Sequence, residues 1–345
     1  MLKELKGLSK IIILKGLILV SLILPLSTNA EEYGTILIYH KFDEPKTPST
    51  SIPLKDFEAQ MQYLKENNFN VVSLSKFIEY YKKGYFPPKT VSITIDDGYK
   101  STMKAFKVLK KYNFPFTVFL YMEAVGRYPD FLTKKQLEEL KSYKKVEFGN
   151  HSYSHGRFAV VKDIKQFEKK FKEDTIKAEK RFIKLLGFKP KFYAYPYGDY
   201  NNITVKILKD LGYKASFTQD PSSAGVYSNL FAIQRQPIVG HWGSLKHFKK
   251  ILSYEQLPVV WHKPKFGLVN TDKIYISAKI KNAKNYISCG VYISEKGWMK
   301  LTKDGNVLLL KEEMKLKRKK NRIGFSCYNK KTKKWATYFY MIVKE

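Results

Sequence analysis

From residue 35 onward the hydrophobic positions fall into two alternating rhythms. Short β-branched or aromatic runs read as strands: Ile36 to Tyr39, Val71-Val72, Thr90 to Ile95, Phe116 to Tyr121, Val146 to Phe148, Phe192 to Tyr195, Ala215 to Thr218 and Pro237 to Val239. Between them, apolar residues recur at helical spacing. Phe57, Met61 and Leu64 predict a helix over 54–67, and further helices follow at 75–83, from Gly98 through Tyr112, after Thr133, at 203–211 and at 245–252. The longest predicted helix runs from about residue 162 to 186, with Ile164, Phe167, Phe171, Ala178, Phe182 and Leu185 on one face and Gly187 as its stop. Strand–helix alternation repeated about seven times favours an α/β fold with a closed or nearly closed parallel barrel over a sandwich.

The pattern changes at Leu257-Pro258. YISAKI, ISCGVYIS, NVLLL, NRIGFSCYN and WATYFYMIV carry strand patterning and turns without a helix. Residues 258–345 therefore read as a small all-β, sandwich-like module after a barrel of residues 31–257. Residues 1–30 read differently again. Lys3, Lys6 and Lys10 precede an apolar run over 16–26, and Ser27, Thr28, Asn29 and Ala30 form a small-residue exit, so a secretory signal cleaved after Ala30 is expected, with an uncleaved anchor as the alternative. Export to the periplasm, cell envelope or exterior permits a disulfide. Cys289 and Cys327 could form one, or remain buried thiols.

Composition sharpens the choice of partner. Hydrophobic residues at 44% and aromatics at 15% exclude a disordered polymer. With 63 Lys plus Arg against 31 Asp plus Glu, the formal net charge is +32. Such a surplus invites a nucleic-acid reading, but export argues against it and points to an anionic envelope surface. Residues 258–345 alone carry +15, which makes the β module the basic part that would meet that surface.

Candidate chemistry lies where strands end, the face on which parallel α/β folds place their active sites. Asp96 and Asp97 follow the run TVSITI, and neighbouring carboxylates pointing in different directions could divide metal ligation from proton transfer; a solvated Asp-Gly turn is the plain alternative. His151 and His155 follow Val146 to Phe148, and their spacing lets both reach one ion if the segment is a helical turn, though such a pair can also be purely structural. With Asp97 they would give a His-His-Asp set. Tyr193-Ala194-Tyr195-Pro196-Tyr197-Gly198 offers aromatic rings to stack on a sugar and a backbone N–H for an oxyanion, or a core strand entering a turn. His40 is a candidate proton donor and Arg235 a candidate to orient a carboxylate.

Thr94-Ile95-Asp96-Asp97-Gly98 and His151-Ser152-Tyr153-Ser154-His155, in this order, resemble the first two motifs of the polysaccharide deacetylases of carbohydrate esterase family 4, the NodB homology domain. The resemblance spans roughly residues 33–252 and implies a distorted (β/α)7 barrel that removes acetyl groups from glycans with one divalent metal ion. It implies Asp97, His151 and His155 as metal ligands, Asp96 as general base and the Tyr197 N–H as oxyanion donor, with Tyr195 and Tyr197 against the substrate. Zinc is the favoured ion, and iron, nickel or cobalt would also suit the donors. The sequence departs from the common third motif at Ala194, where many members carry an arginine that braces the base. Together with Tyr39-His40 and Arg235-Gln236-Pro237-Ile238, this variant resembles the branch that deacetylates poly-β-1,6-N-acetylglucosamine. In that branch the residue matching His40 is the general acid, and Arg235 is the substitute brace. Peptidoglycan or chitin-like oligomers are alternative substrates, and a non-catalytic glycan-binding envelope protein is the alternative of a different class.

Overall fold

In the run TVSITI, Val91, Ile93 and Ile95 pack against helices in one cluster, while Ser92 and Thr94 lie on the other face. Fully burying each of those three aliphatic side chains stabilises the fold by about 1.5–3 kcal/mol. The same alternation continues around a sheet of parallel strands: β1 (Tyr33–Tyr39), β2 (Thr90–Ile95), β3 (Phe116–Leu120), β4 (Val146–Asn150), β5 (Phe192–Ala194) and β6 (Ala215–Phe217). The computed structural model describes residues 31–345 except residue 272, so the expected signal over 1–30 lies outside the described residues.

The sheet curls until its ends meet. Ile233 bridges Phe217 of β6, and three residues later β7 (Gln236–Pro237) pairs in parallel with Leu37 and Ile38 of β1. Between those two contacts Arg235 is wholly buried. Ile36, Phe119, Phe192, Phe217 and Ile233 form a cluster within the curl, and helices such as Leu54–Glu66 and α1 (Ile164–Leu186) cover its outside. Asp163 caps α1 by accepting from the Gln166 N–H, and left-handed Gly187 ends it. Among the described residues no helix is long and apolar enough to cross a membrane.

After α2 (Leu245–Leu252) come strands, with a 3-10 turn at Ala283–Asn285. Here β8 (Glu255–Gln256), β9 (Tyr286–Ile293), β10 (Gly297–Lys300), β11 (Lys320–Asn329) and β12 (Lys334–Lys344) build a second sheet in the order β8-β12-β11-β9-β10. Cys289 and Cys327 form a disulfide between β9 and β11. One face of this sheet has its own core, including Phe325, Tyr338 and Tyr340. The other face gives Met341 and Val343 to the cluster of Tyr195, Tyr200 and Ile203 in the first unit. Polar links cross at the same place: Arg322 Nε donates to Asp220 Oδ1 at 2.9 Å, and the Tyr200 hydroxyl donates to Asp220 Oδ2 at 2.9 Å. The basic C-terminal strands therefore share a core with the strands that carry the site.

Candidate active site

The inward face of β2 continues past Thr94 to Asp96, which is wholly buried. A buried carboxylate requires a partner, and Arg235 supplies one across the curl. Its Nη1 and Nη2 donate to the two oxygens of Asp96, each at 2.8 Å. Nε is fixed by the Thr218 carbonyl at 2.8 Å and Nη1 also by Thr94 Oγ1 at 3.0 Å. This two-point clamp sets both the position and the charge of the carboxylate. Burial pushes the Asp96 carboxyl up, but the Arg235 and His151 charges outweigh it and hold it below the ordinary carboxylate value.

Asp97 turns the chain away from the strand. Its φ of 72° and the 75° of Gly98 are both left-handed, a conformation that Asp tolerates and Gly favours. A Cβ on Gly98 would stand 2.9 Å from Leu120 and 3.0 Å from Val125, so the turn needs glycine on two counts. The result aims Asp97 Oδ1 at both histidines, 3.1 Å from His151 Nε2 and 3.0 Å from His155 Nε2. The Asp97 carboxyl, pushed up by burial, is drawn far below its ordinary value by the adjacent His151 and His155 rings.

The histidines converge without the helical turn that their spacing suggested. Ser152 and His155 have φ of 67° and 54°, and the loop is held by the His155 N–H donating to Ser152 Oγ at 2.8 Å. Asp174 on α1 then accepts from the Tyr153 and Ser154 N–H groups, both at 2.9 Å. Each ring has its second nitrogen fixed: His151 Nδ1 donates to the Ala194 carbonyl at 2.8 Å, and His155 Nδ1 lies 3.0 Å from the Tyr197 hydroxyl. Both partners orient Nε2 toward Asp97, as metal-binding histidines require. His151 Nε2 is fully buried and its 3.1 Å approach to Asp97 Oδ1 is too poorly aligned to satisfy it as a hydrogen bond, so the donor set fits a cation placed among three ligand atoms that lie within 4.8 Å of one another. Burial pushes His151 down, but Asp96 and Asp97 outweigh it and raise it above the ordinary histidine value.

His40 directly follows β1, beside this cluster. Its Nδ1 is buried without a partner. Burial lowers its pKa from the ordinary histidine value, against the opposing pull of Asp97 and Asp96. Tyr197 is 40% exposed at φ 60°, its ring 4.6 Å from that of His155 and covered by the Arg157 guanidinium at 3.8 Å. Lys320 from β11 steadies the same turn by donating to both oxygens of Asp199 at 2.8 Å.

Tyr195 departs from the sequence expectation. Strand alternation turns its ring into the core, where it is wholly buried, stacks on Tyr200 and bonds Ser216 Oγ and the Phe231 carbonyl through its hydroxyl. It has no face for a substrate. The structure thus gathers Asp96, Asp97, His151, His155, Arg235, His40 and Tyr197 at one mouth and leaves Tyr195 behind it. Sequence reading missed Asp174, Arg157 and Lys320. All three reach the site from elsewhere in the chain, and no local pattern marks them.

A family profile described as polysaccharide deacetylase matches residues 83–216. The poly-beta-1,6-N-acetyl-D-glucosamine N-deacetylase of Staphylococcus aureus (strain MRSA252) is 31% identical over 208 residues, covering 57% of this chain and 71% of that protein. Among solved structures, the Streptococcus pyogenes deacetylase PplD in complex with acetate aligns with a TM-score of 0.58 at 22% identity, over 64% of this chain and 98% of that one. IcaB from Ammonifex degensii aligns with a TM-score of 0.53 at 23% identity, over 64% and 96%. At these identities the two structures speak for the fold.

Proposed function

Since the chain belongs to the polysaccharide deacetylase family, we propose that it is an exported, metal-dependent hydrolase that removes N-acetyl groups from poly-β-1,6-N-acetylglucosamine. The observation that carries this reading is the convergence of Asp97 Oδ1 and the two Nε2 atoms beside an arginine-clamped carboxylate. The relative's named substrate supports the choice of polymer.

Asp97, His151 and His155 would hold the ion. Bound there, a divalent cation supplies Lewis acidity, acidifying water and polarising the acetyl carbonyl. Asp96, kept ionised by Arg235, accepts the proton of the attacking water as its oxygen adds to the acetyl carbon. The Tyr197 backbone N–H stabilises the developing oxyanion. His40 donates a proton to the sugar nitrogen as the C–N bond breaks, leaving acetate and a glucosamine unit. Because burial lowers the His40 pKa, the protonated donor population falls away at a lower pH than for a free histidine, and the alkaline limb of activity should lie correspondingly low.

Acetate release from poly-β-1,6-N-acetylglucosamine, peptidoglycan and chitin oligomers, with and without chelator, tests the proposal. The first polymer should turn over fastest and chelator should stop it. Preference for another polymer would overturn the substrate assignment, and stoichiometric metal with no acetate from any polymer would favour a glycan-binding protein.

A further inference from the structure

Arg235 faces Asp96, so strand alternation sends Gln236 to the outside of the curl. There it meets a cleft of about 510 Å³ between α2 and the second sheet, a size suited to small ligands. The cleft exists because apolar packing between the two units is confined to one end of β12: Met341 and Val343 join the first unit's core, whereas earlier on the same face Thr337 and Phe339 meet that unit through the polar links of Ser222 and Gln234 to their backbone, and the side chains of Trp335, Thr337 and Phe339 line the cleft. Its bed is made of small residues, including Ser288, Gly290 and Ser326. Phe339 lies over Gly324, where a Cβ would come within 2.1 Å of its ring.

Three of the chain's 4 tryptophans line this cleft, and each is well exposed: Trp242 at 40%, Trp298 at 58% and Trp335 at 41%. An indole face left in water is suited to the apolar C–H face of a pyranose ring. A second feature points to a ligand as well. Gln236 is only 3% exposed, lines the cleft, and its Nε2 has no hydrogen-bond partner, a donor that a ligand carbonyl would satisfy. The lining holds Lys250 and His247 but no carboxylate, which disfavours a cationic amino sugar and favours one whose nitrogen is still acetylated.

We propose that this cleft is a second glycan site, separate from the catalytic mouth, that holds an N-acetylated hexosamine segment of the polymer. The identity of the sugar rests on the deacetylase reading above. Gln236 Nε2 donates to an acetamido carbonyl while Trp298 and Trp335 stack on the rings. Engaging both sites raises the affinity for long chains without altering the chemistry at Asp96.

The test uses the full chain and its Trp298→Ala and Trp335→Ala variants, with a β-1,6-linked N-acetylglucosamine tetramer and the polymer as probes. Circular dichroism checks folding, to which the exposed indoles should contribute little. Each variant should keep the parent kcat on the tetramer, raise KM for the polymer about five- to tenfold, and lose most of the tryptophan fluorescence change that the tetramer produces in the parent. An unchanged polymer KM, or an undiminished fluorescence change, would overturn the proposal. A change produced by an alkyl detergent but not by the tetramer would instead make the cleft an apolar-ligand site and also overturn it. If the parent releases no acetate, the deacetylase reading fails on its own, and the fluorescence titration still decides the cleft.

Discussion

Replacing Arg235 with methionine removes the only cation bonded to Asp96 in the described structure while roughly keeping the side chain's bulk. Two 2.8 Å bonds disappear, leaving a wholly buried carboxylate with only the His151 ring at 3.9 Å and the Thr218 carbonyl without its Nε donor, while Thr94 Oγ1 keeps its bond to the Leu37 carbonyl. Breaking a buried pair on one side typically costs about 3–5 kcal/mol, measurable as a lower denaturant midpoint. The activity consequence has a definite sign. Burial raises the Asp96 pKa and the Arg235 charge lowers it, with a net depression; without Arg235 the pKa must rise. A general base works only when deprotonated, so activity falls as pH drops through its pKa. The acid limb of kcat/KM should therefore move to higher pH. Arg235→Lys keeps the charge but cannot grip both oxygens, so it should lower kcat with a much smaller shift of the limb. The assay is acetate release across pH on protein shown to be folded and metal-loaded. An acid limb unmoved in Arg235→Met would refute the argument that Arg235 sets the ionisation of Asp96.

Tyr197→Phe removes the hydroxyl that fixes His155 Nδ1 and should weaken metal binding about tenfold, read by chelator competition; an unchanged affinity would show that the 3.0 Å contact does not orient the ring. Asp96→Asn should retain metal and lose most acetate release, whereas His151→Ala should lose both, and parent-rate activity in Asp96→Asn would displace Asp96 as the base. Reducing the Cys289–Cys327 bond, which closes a loop with a sequence separation of 38, should cost up to about 4 kcal/mol of stability, visible as a lower denaturant midpoint with reductant. Truncation after residue 257 should destabilise the remaining chain, because it strips Met341 and Val343 from the core around Tyr195 and Tyr200 and leaves Asp220 without Arg322. A truncated chain as resistant to denaturant as the parent would mean that the second sheet adds nothing to that core.

The sequence by itself determined the features written over a few neighbouring residues. Alternation in TVSITI predicts a buried strand, and it places Asp96 on the face of Thr94, opposite the helix-packed Val91, Ile93 and Ile95. The spacing of Phe167, Phe171, Ala178 and Phe182 predicts α1, and their burial agrees. Asp97, His151 and His155 were legible as a candidate ligand set because each follows a strand end, and the structure brings their ligand atoms within 4.8 Å of one another, although HxxxH suggested a helical turn. The actual loop depends on Asp174, which no local spacing connects to it.

Only the tertiary structure decided matters that depend on how distant segments close on one another. Arg235 is 139 residues from Asp96 and becomes its clamp because residues 233–237 seal the sheet between β6 and β1. Tyr195 and Tyr197 are two residues apart and look interchangeable as sugar-stacking rings, yet one packs on Tyr200 and the other reaches His155. A left-handed φ at Tyr197 turns the chain between them. Strand periodicity tells which side chains share a face. Which face meets a core, a cleft or the catalytic mouth is settled by packing between elements that the local sequence does not connect.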